Sequence, residues 1–154
     1  MKSGYRLWGM GYGVILLILA SCASFNAKAP NNFAEYSDND GSKFRAISPD
    51  GVLYRVSAYE QKSQASVSFW KDAFLLKMKN SNYKQEDSLS ITIGGKAAIG
   101  YIFSFANSAG SDLYLVAAVP SKDEMIVVEA SAKSAKFEDR KKDILDAIGK
   151  ITID

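Results

Sequence analysis

The sequence predicts an α+β domain in which an antiparallel β-sheet is covered by helices. Three observations lead there. Six short runs rich in β-branched and aromatic residues are separated mostly by turn-length gaps. Two longer segments instead place apolar residues at helical spacing. The central strand-like runs are apolar on both faces, which requires a cover on each side of the sheet. At 47% hydrophobic and 23% charged residues, the composition is that of an ordinary globular protein.

The first two strand runs are "KFRAIS" from Lys43 and "VLYRVSAYE" from Val52, joined by Pro49-Asp50-Gly51. In that turn proline presets φ and glycine accepts positive φ. A helix is predicted from about Gln64 to Asn80. Val67, Trp70, Phe74 and Met78 form its apolar stripe, widened by Ala73, and Lys71, Asp72, Lys77 and Lys79 are its polar positions. Ser63 is the expected N-cap, and the Trp70 helix is expected to fill the sheet face it covers. The polar stretch Ser81 to Ser88 reads as a loop.

Four more strand runs follow: "LSITI", "AAIGYIFSFA", "LYLVAAV" and "MIVVEAS". Their connections, Gly94-Gly95, Asn107 to Asp112 and Pro120 to Glu124, are short enough for hairpins, so an antiparallel meander is expected. Ile99, Tyr101, Phe103 and Phe105 share one face of the second run, while Ile102 and Ala106 make the other face apolar as well. The third run repeats this, with Leu113, Leu115, Ala117 and Val119 opposite Tyr114, Val116 and Ala118. The closing segment "FEDRKKDILDAIGKI" predicts a helix with Phe137, Ile144, Ile148 and Ile151 on one stripe. Glu138 and Asp139 are expected in its first turn and Lys150 in its last, as the helix dipole favours. Gly149 is a natural stop.

The chain carries 19 Lys and Arg against 17 Asp and Glu. The surplus is Lys2 and Arg6, both ahead of an uncharged apolar run. The remainder is neutral and has no field to concentrate nucleic acid. There is no histidine and only one cysteine, Cys22. That inventory excludes Ser-His-Asp triads, Cys-His pairs, intramolecular disulfides and thiolate metal clusters.

The N-terminal order is charge, apolar block, then small residues, as in a secretory signal peptide. Its end, Leu19-Ala20-Ser21-Cys22, resembles the lipobox of bacterial lipoproteins. The resemblance implies removal of residues 1–21, thioether attachment of a diacylglyceryl group to Cys22, and acylation of the new N-terminus, with palmitate as the acyl class. Two other readings stand beside it. Leu7 to Phe25 is uncharged and is about the ~20 residues a membrane helix needs, although Gly11 and Gly13 dilute it. Alternatively, Cys22 is simply a small apolar residue. Under the lipoprotein reading, residues 22–42 form a lipid-anchored tether and residues 43–154 a single α+β domain. Ala23 is not aspartate, which by family pattern implies outer-membrane anchoring facing the periplasm if the source is Gram-negative.

The order strand-strand, helix, four-stranded meander, terminal helix is similar to the PsbP-like αβα sandwich. The residues carrying the resemblance are "SITIGGKAAIGYIF", "DLYLVAAV", "MIVVEASA" and "FEDRKKDILDAI". It implies an accessory, non-enzymatic role with no catalytic motif, cofactor or metal to carry over.

Candidate chemistry is sparse. "SDNDG" at Ser37 to Gly41 hints at a calcium loop, but Tyr36 and Ile47 stand where an EF-hand needs ligands; a solvated turn is the better reading. "GGK" at Gly94 to Lys96 lacks the length, hydroxyl and helix of a phosphate loop. Glu129 shares strand parity with Met125 and Val127, so it either faces an apolar layer with a raised pKa or pairs with Lys133, Lys96 or another base; pairing is favoured. Arg140 to Lys142 is cancelled by Glu138, Asp139 and Asp143 and reads as a solvated face. Trp70, Tyr54, Tyr59, Tyr83, Tyr101 and Tyr114 read as packing unless exposed.

These readings favour a membrane-anchored interaction or assembly module with an envelope protein partner, no nucleic acid and no metal. A lipid- or small-molecule carrier is the alternative and expects an apolar pocket of about 300–1,000 Å³ between sheet and helix. An enzyme using carboxylates such as Glu129 or Asp112 is the least supported, because no second group is placed beside either.

Overall fold

The computed structural model describes residues 25–37, 44–61 and 65–154. Its elements in chain order are β1 (Phe25–Asn26), β2 (Ala34–Glu35), β3 (Phe44–Ile47), β4 (Leu53–Glu60), α1 (Val67–Asn80), β5 (Lys84–Ser88), β6 (Ile91–Ile93), β7 (Lys96–Asn107), β8 (Gly110–Ser121), β9 (Glu124–Lys133), α2 (Ser134–Ile148) and β10 (Thr152–Ile153). The main sheet runs β2-β3-β4-β9-β8-β7-β5, with β6 paired to the first residues of β7. Every pair is antiparallel. The expected meander is present as β7-β8-β9. Gly94 and Gly95, at φ +58° and +75°, close the β6–β7 hairpin in the left-handed region that its two-residue turn requires.

The register sorts side chains onto two faces. Tyr54, Val56, Leu115, Ala117, Ile126 and Val128 point one way and join a single buried cluster with Phe137, Ile144 and Ile148 of α2. Those three α2 side chains are wholly buried. Tyr101, Phe103 and Val116 point the other way, toward α1. Phe74 lies parallel to Tyr101, with ring centroids 6.5 Å apart, and meets Phe103 edge-on at 5.8 Å. The fold is thus an antiparallel sheet between two helices, as both apolar strand faces demand. The covers are unequal. In α1 only Met78 is buried, while Val67, Phe69 and Leu76 are exposed.

Several local expectations are corrected. The stretch expected as tether is folded onto the domain from Phe25 to Glu35: β1 pairs with β10, β2 pairs with β3, and Phe25 is buried. Two-residue strands are too short to show a period. The expected loop Ser81 to Ser88 contains β5, an edge strand exposed at every residue and bonded to β7 through its backbone. Its Lys84, Glu86 and Asp87 are the charges that protect sheet edges. Helix α1 starts at Val67, with Ser66 as N-cap accepting a hydrogen bond from the Phe69 amide at 3.1 Å; the expected cap, Ser63, lies outside the described residues. Helix α2 begins at Ser134, directly after β9, so Glu138 and Asp139 fall in its second turn and its first turn holds no acid. Lys150 lies beyond the end of α2, which caps at Gly149 as expected.

The β3–β4 turn is fastened to α2. Ser48 Oγ donates to Asp50 Oδ1 at 2.5 Å, Lys136 Nζ donates to the Asp50 carbonyl at 2.8 Å, and Arg140 Nε lies 3.4 Å from Asp50 Oδ2. The Ser48 hydroxyl is the main cause that holds the Asp50 carboxyl below its ordinary pKa; burial opposes it and Arg140 adds to it.

Two outcomes follow. Phe137→Ala should cost about 3–5 kcal/mol in urea unfolding, whereas Leu76→Ala, 60% exposed, should stay within about 0.5 kcal/mol. Because the folded pKa of Asp50 is depressed, its contribution is present above about pH 4 and is lost as pH falls through the folded value. Asp50→Asn should therefore flatten the acid limb of the urea midpoint measured from about pH 5 to pH 2.5.

Candidate functional site

The uncovered part of the α1 face carries the densest polar arrangement. Antiparallel register sets Arg55 of β4 opposite Glu129 of β9, and Tyr114 of β8 lies opposite Ser131, two residues farther along. Arg55 donates to Glu129 Oε2 from Nε at 2.8 Å, with Nη2 at 2.6 Å from the same oxygen. Tyr114 donates its hydroxyl to Glu129 Oε1 at 2.6 Å. The Glu129 side chain is 16% exposed. Burial works against the Arg55 charge, but the Glu129 carboxylate outweighs it and holds the guanidinium pKa above its usual value. Burial, then the Glu129 charge and hydrogen bond, push the Tyr114 phenol far above its ordinary range. Both carboxylate oxygens are engaged, so Glu129 is the pairing carboxylate the sequence favoured, with Arg55 as its base. The cluster fixes side chains; it does not present a free proton donor or base.

Around it lies a hollow of about 180 Å³ lined by Tyr36, Arg45, Leu53, Arg55, Tyr114 and Glu129, among others. The Arg45 guanidinium sits over the Tyr36 ring, 5.8 Å from its centroid. Ile47 pairs with Leu53 across β3 and β4 on the same face. Leu53 is 44% exposed, Tyr36 38% and Ile47 36%. These apolar groups stay wet because α1 packs over β7 and β8, away from β3.

A second hollow lies where α1 meets the sheet. Trp70 and Phe74 roof it, Tyr101, Val116, Ala118 and Val127 are among its floor residues, and Gln61 stands at the end of β4. Its volume is about 250 Å³. Trp70 therefore walls a cavity instead of filling the sheet face. A third, polar cleft of about 460 Å³ brings Glu86, Asp87 and Glu138 near Lys141. Glu86 is bound by Ser104 at 2.5 Å and by Lys84. The Ser104 hydrogen bond lowers its pKa, the opposite of what a general acid needs.

The remaining sequence candidates are dispersed. Cys22 and most of the Ser37 to Gly41 stretch lie outside the described residues. Gly94 to Lys96 is a hairpin turn, with Lys96 Nζ 3.4 Å from the Ser121 hydroxyl. Asp112 pairs with Lys133 at 2.9 Å. Arg140 and Lys141 reach Asp50 and Asp87 across the helix–sheet boundary, so two of the three expected solvated bases are half-buried. Tyr54 and Tyr101 are core residues, whereas Tyr59 is 52% exposed. Sequence reading missed Arg55; its strand alternation placed it opposite the Tyr54 and Val56 face, but nothing named its partner. Among the described residues no three His, Cys, Asp or Glu side chains gather to hold a metal, and no helix is long and apolar enough to cross a membrane.

No protein-family model matches the chain, and no curated protein matches it in sequence. Solved structures do match in shape. LpqN of Mycobacterium tuberculosis, described as involved in cell envelope biogenesis, superimposes with a TM-score of 0.60 at 13% identity, over 84% of this chain and 82% of its own. The cyanobacterial PsbP of Synechocystis sp. gives 0.63 at 9% identity, over 85% and 87%. The Ran-binding protein Mog1p of Saccharomyces cerevisiae gives 0.59 at 10% identity, over 84% and 90%. These likenesses establish the PsbP-like fold expected from the sequence.

The Arg55–Glu129 pair makes a direct prediction. Arg55→Met should cost about 2–3 kcal/mol, because it leaves the largely buried Glu129 carboxylate without its cation; Glu129→Leu should cost less, about 1–2 kcal/mol, because the Arg55 side chain is 35% exposed. The double variant should cost less than the sum by about 1 kcal/mol or more in a thermodynamic cycle.

Proposed function

We propose that this chain is a lipid-anchored envelope protein that works by binding another protein, without chemistry of its own. The observation that carries the reading is the wet apolar face at Tyr36, Ile47 and Leu53, set around Arg45 and the locked Arg55–Glu129–Tyr114 cluster. Aromatic and arginine side chains on a rigid sheet, with aliphatic neighbours, are the composition of interface cores. The engaged carboxylates and the histidine-free sequence support a role other than catalysis. LpqN's part in cell envelope biogenesis and Mog1p's binding of Ran agree with it by analogy of fold.

The anchor is proposed from Leu19-Ala20-Ser21-Cys22, with outer-membrane placement facing the periplasm where the source is Gram-negative. The fold adds a constraint. Among the described residues the core begins at Phe25, three residues beyond Cys22, a reach of at most about 11 Å. The anchored domain would sit against the membrane, not at the end of a long tether.

The test has two arms. Protein extracted from its own membranes should have the mass of residues 22–154 plus acyl chains, and Cys22→Ala should move it out of the membrane fraction; an unmodified full-length mass would overturn the anchor. A photo-crosslinker at Leu53 should give one discrete protein adduct in cells, reduced at least tenfold by Ile47→Asp. A crosslinker at exposed Lys142 giving the same adduct equally well would overturn the docking face.

A further inference from the structure

We propose that the cavity beneath α1 is a binding site for a neutral acyl group, an ester or amide carbonyl on a short hydrocarbon chain. Its walls are almost wholly apolar: Phe74, Ile99, Tyr101, Val116, Met125 and Val127. Against them stand two buried N–H donors with no hydrogen-bond partner, Trp70 Nε1 and Gln61 Nε2, on two residues that line the cavity. A third orphaned atom, Ser57 Oγ, sits on β4 opposite Val127. Buried donors left unpaired cost free energy, and native folds retain few of them without a function. Two donors in an apolar chamber call for a guest with an apolar body and an acceptor.

Charge narrows the class. The lining is almost wholly apolar and holds no lysine or arginine, so a carboxylate guest would lose its hydration with no cation to replace it, while N–H donors give nothing to a cation. A neutral carbonyl satisfies both conditions. The volume is about 250 Å³. That is slightly below the usual range for drug-sized ligands and suits a short acyl chain. The cavity exists because α1 bears only lightly on the sheet, and the roof residues Trp70 and Phe74 belong to that lightly held helix.

The probe is methyl octanoate, titrated into the full chain carrying Cys22→Ala and Trp8→Phe, which leaves Trp70 as the one indole. Saturable 1:1 binding that shifts Trp70 emission is expected. Ala118→Phe, which fills the floor, should weaken binding at least tenfold, and Trp70→Phe, followed by native mass spectrometry, should weaken it about two- to tenfold through one lost hydrogen bond. Octane and octanoate should both bind more weakly than the ester. Binding by the Cys22→Ala chain but not by the acylated membrane form would identify the chain's own acyl group as the guest; binding by both would identify an external one. Absence of saturable binding to a chain with a normal unfolding transition would overturn the proposal, as would binding indifferent to both Ala118→Phe and Trp70→Phe, or octanoate binding more tightly than the ester. The acyl site and the protein-docking face use different residues, so failure of one leaves the other intact.

Discussion

Strands β7, β8 and β9 are apolar on both sides, and the architecture follows from covering them. Leu115, Ala117 and Val128 look one way; Tyr101, Val116 and Val127 look the other. Each fully buried aliphatic or aromatic side chain is worth about 1.5–3 kcal/mol, so neither face can be left to water. Helix α2 closes the first face with Phe137, Ile144 and Ile148, and is pinned at Asp50 by Arg140 and Lys136. Helix α1 closes the second with one buried residue, Met78, and with Phe74 and Trp70 in part. The acyl-sized cavity and the wet patch at Leu53 both lie on the side where the cover is thin.

Much of this was legible. Period-2 runs with apolar residues on both faces announced a two-sided sheet, and Gly94-Gly95 announced a hairpin. What was not legible has specific causes. β5 is held by backbone pairing with no buried side chain, so its sequence, "KQEDS", looks like loop. β1 and β10 are two residues each, and their pairing joins Phe25 to Ile153 across most of the sequence. The first turn of α2 carries no large apolar residue before Phe137. At the site, alternation placed Glu129 on the right face, but Arg55 became its partner only through the β4–β9 register, which spans 74 positions of sequence. The cavity was invisible because Trp70 on an apolar stripe reads as filler whether it packs or roofs a void.

The fold itself is shared with proteins at 9–13% identity whose described roles differ, from envelope biogenesis to Ran binding. A scaffold common to such proteins confers no single activity. The features that bear on function in this chain are therefore local: a carboxylate locked by arginine and tyrosine, exposed aliphatic groups beside it, and orphaned donors under a loosely seated helix.

Native-state hydrogen exchange reads the unequal cover of the two sheet faces. Amides of α2 should exchange only through global unfolding, while those of α1 should open locally with protection lower by at least about 100-fold. Equal protection in the two helices would contradict the account, because both faces of the sheet would then be equally sealed.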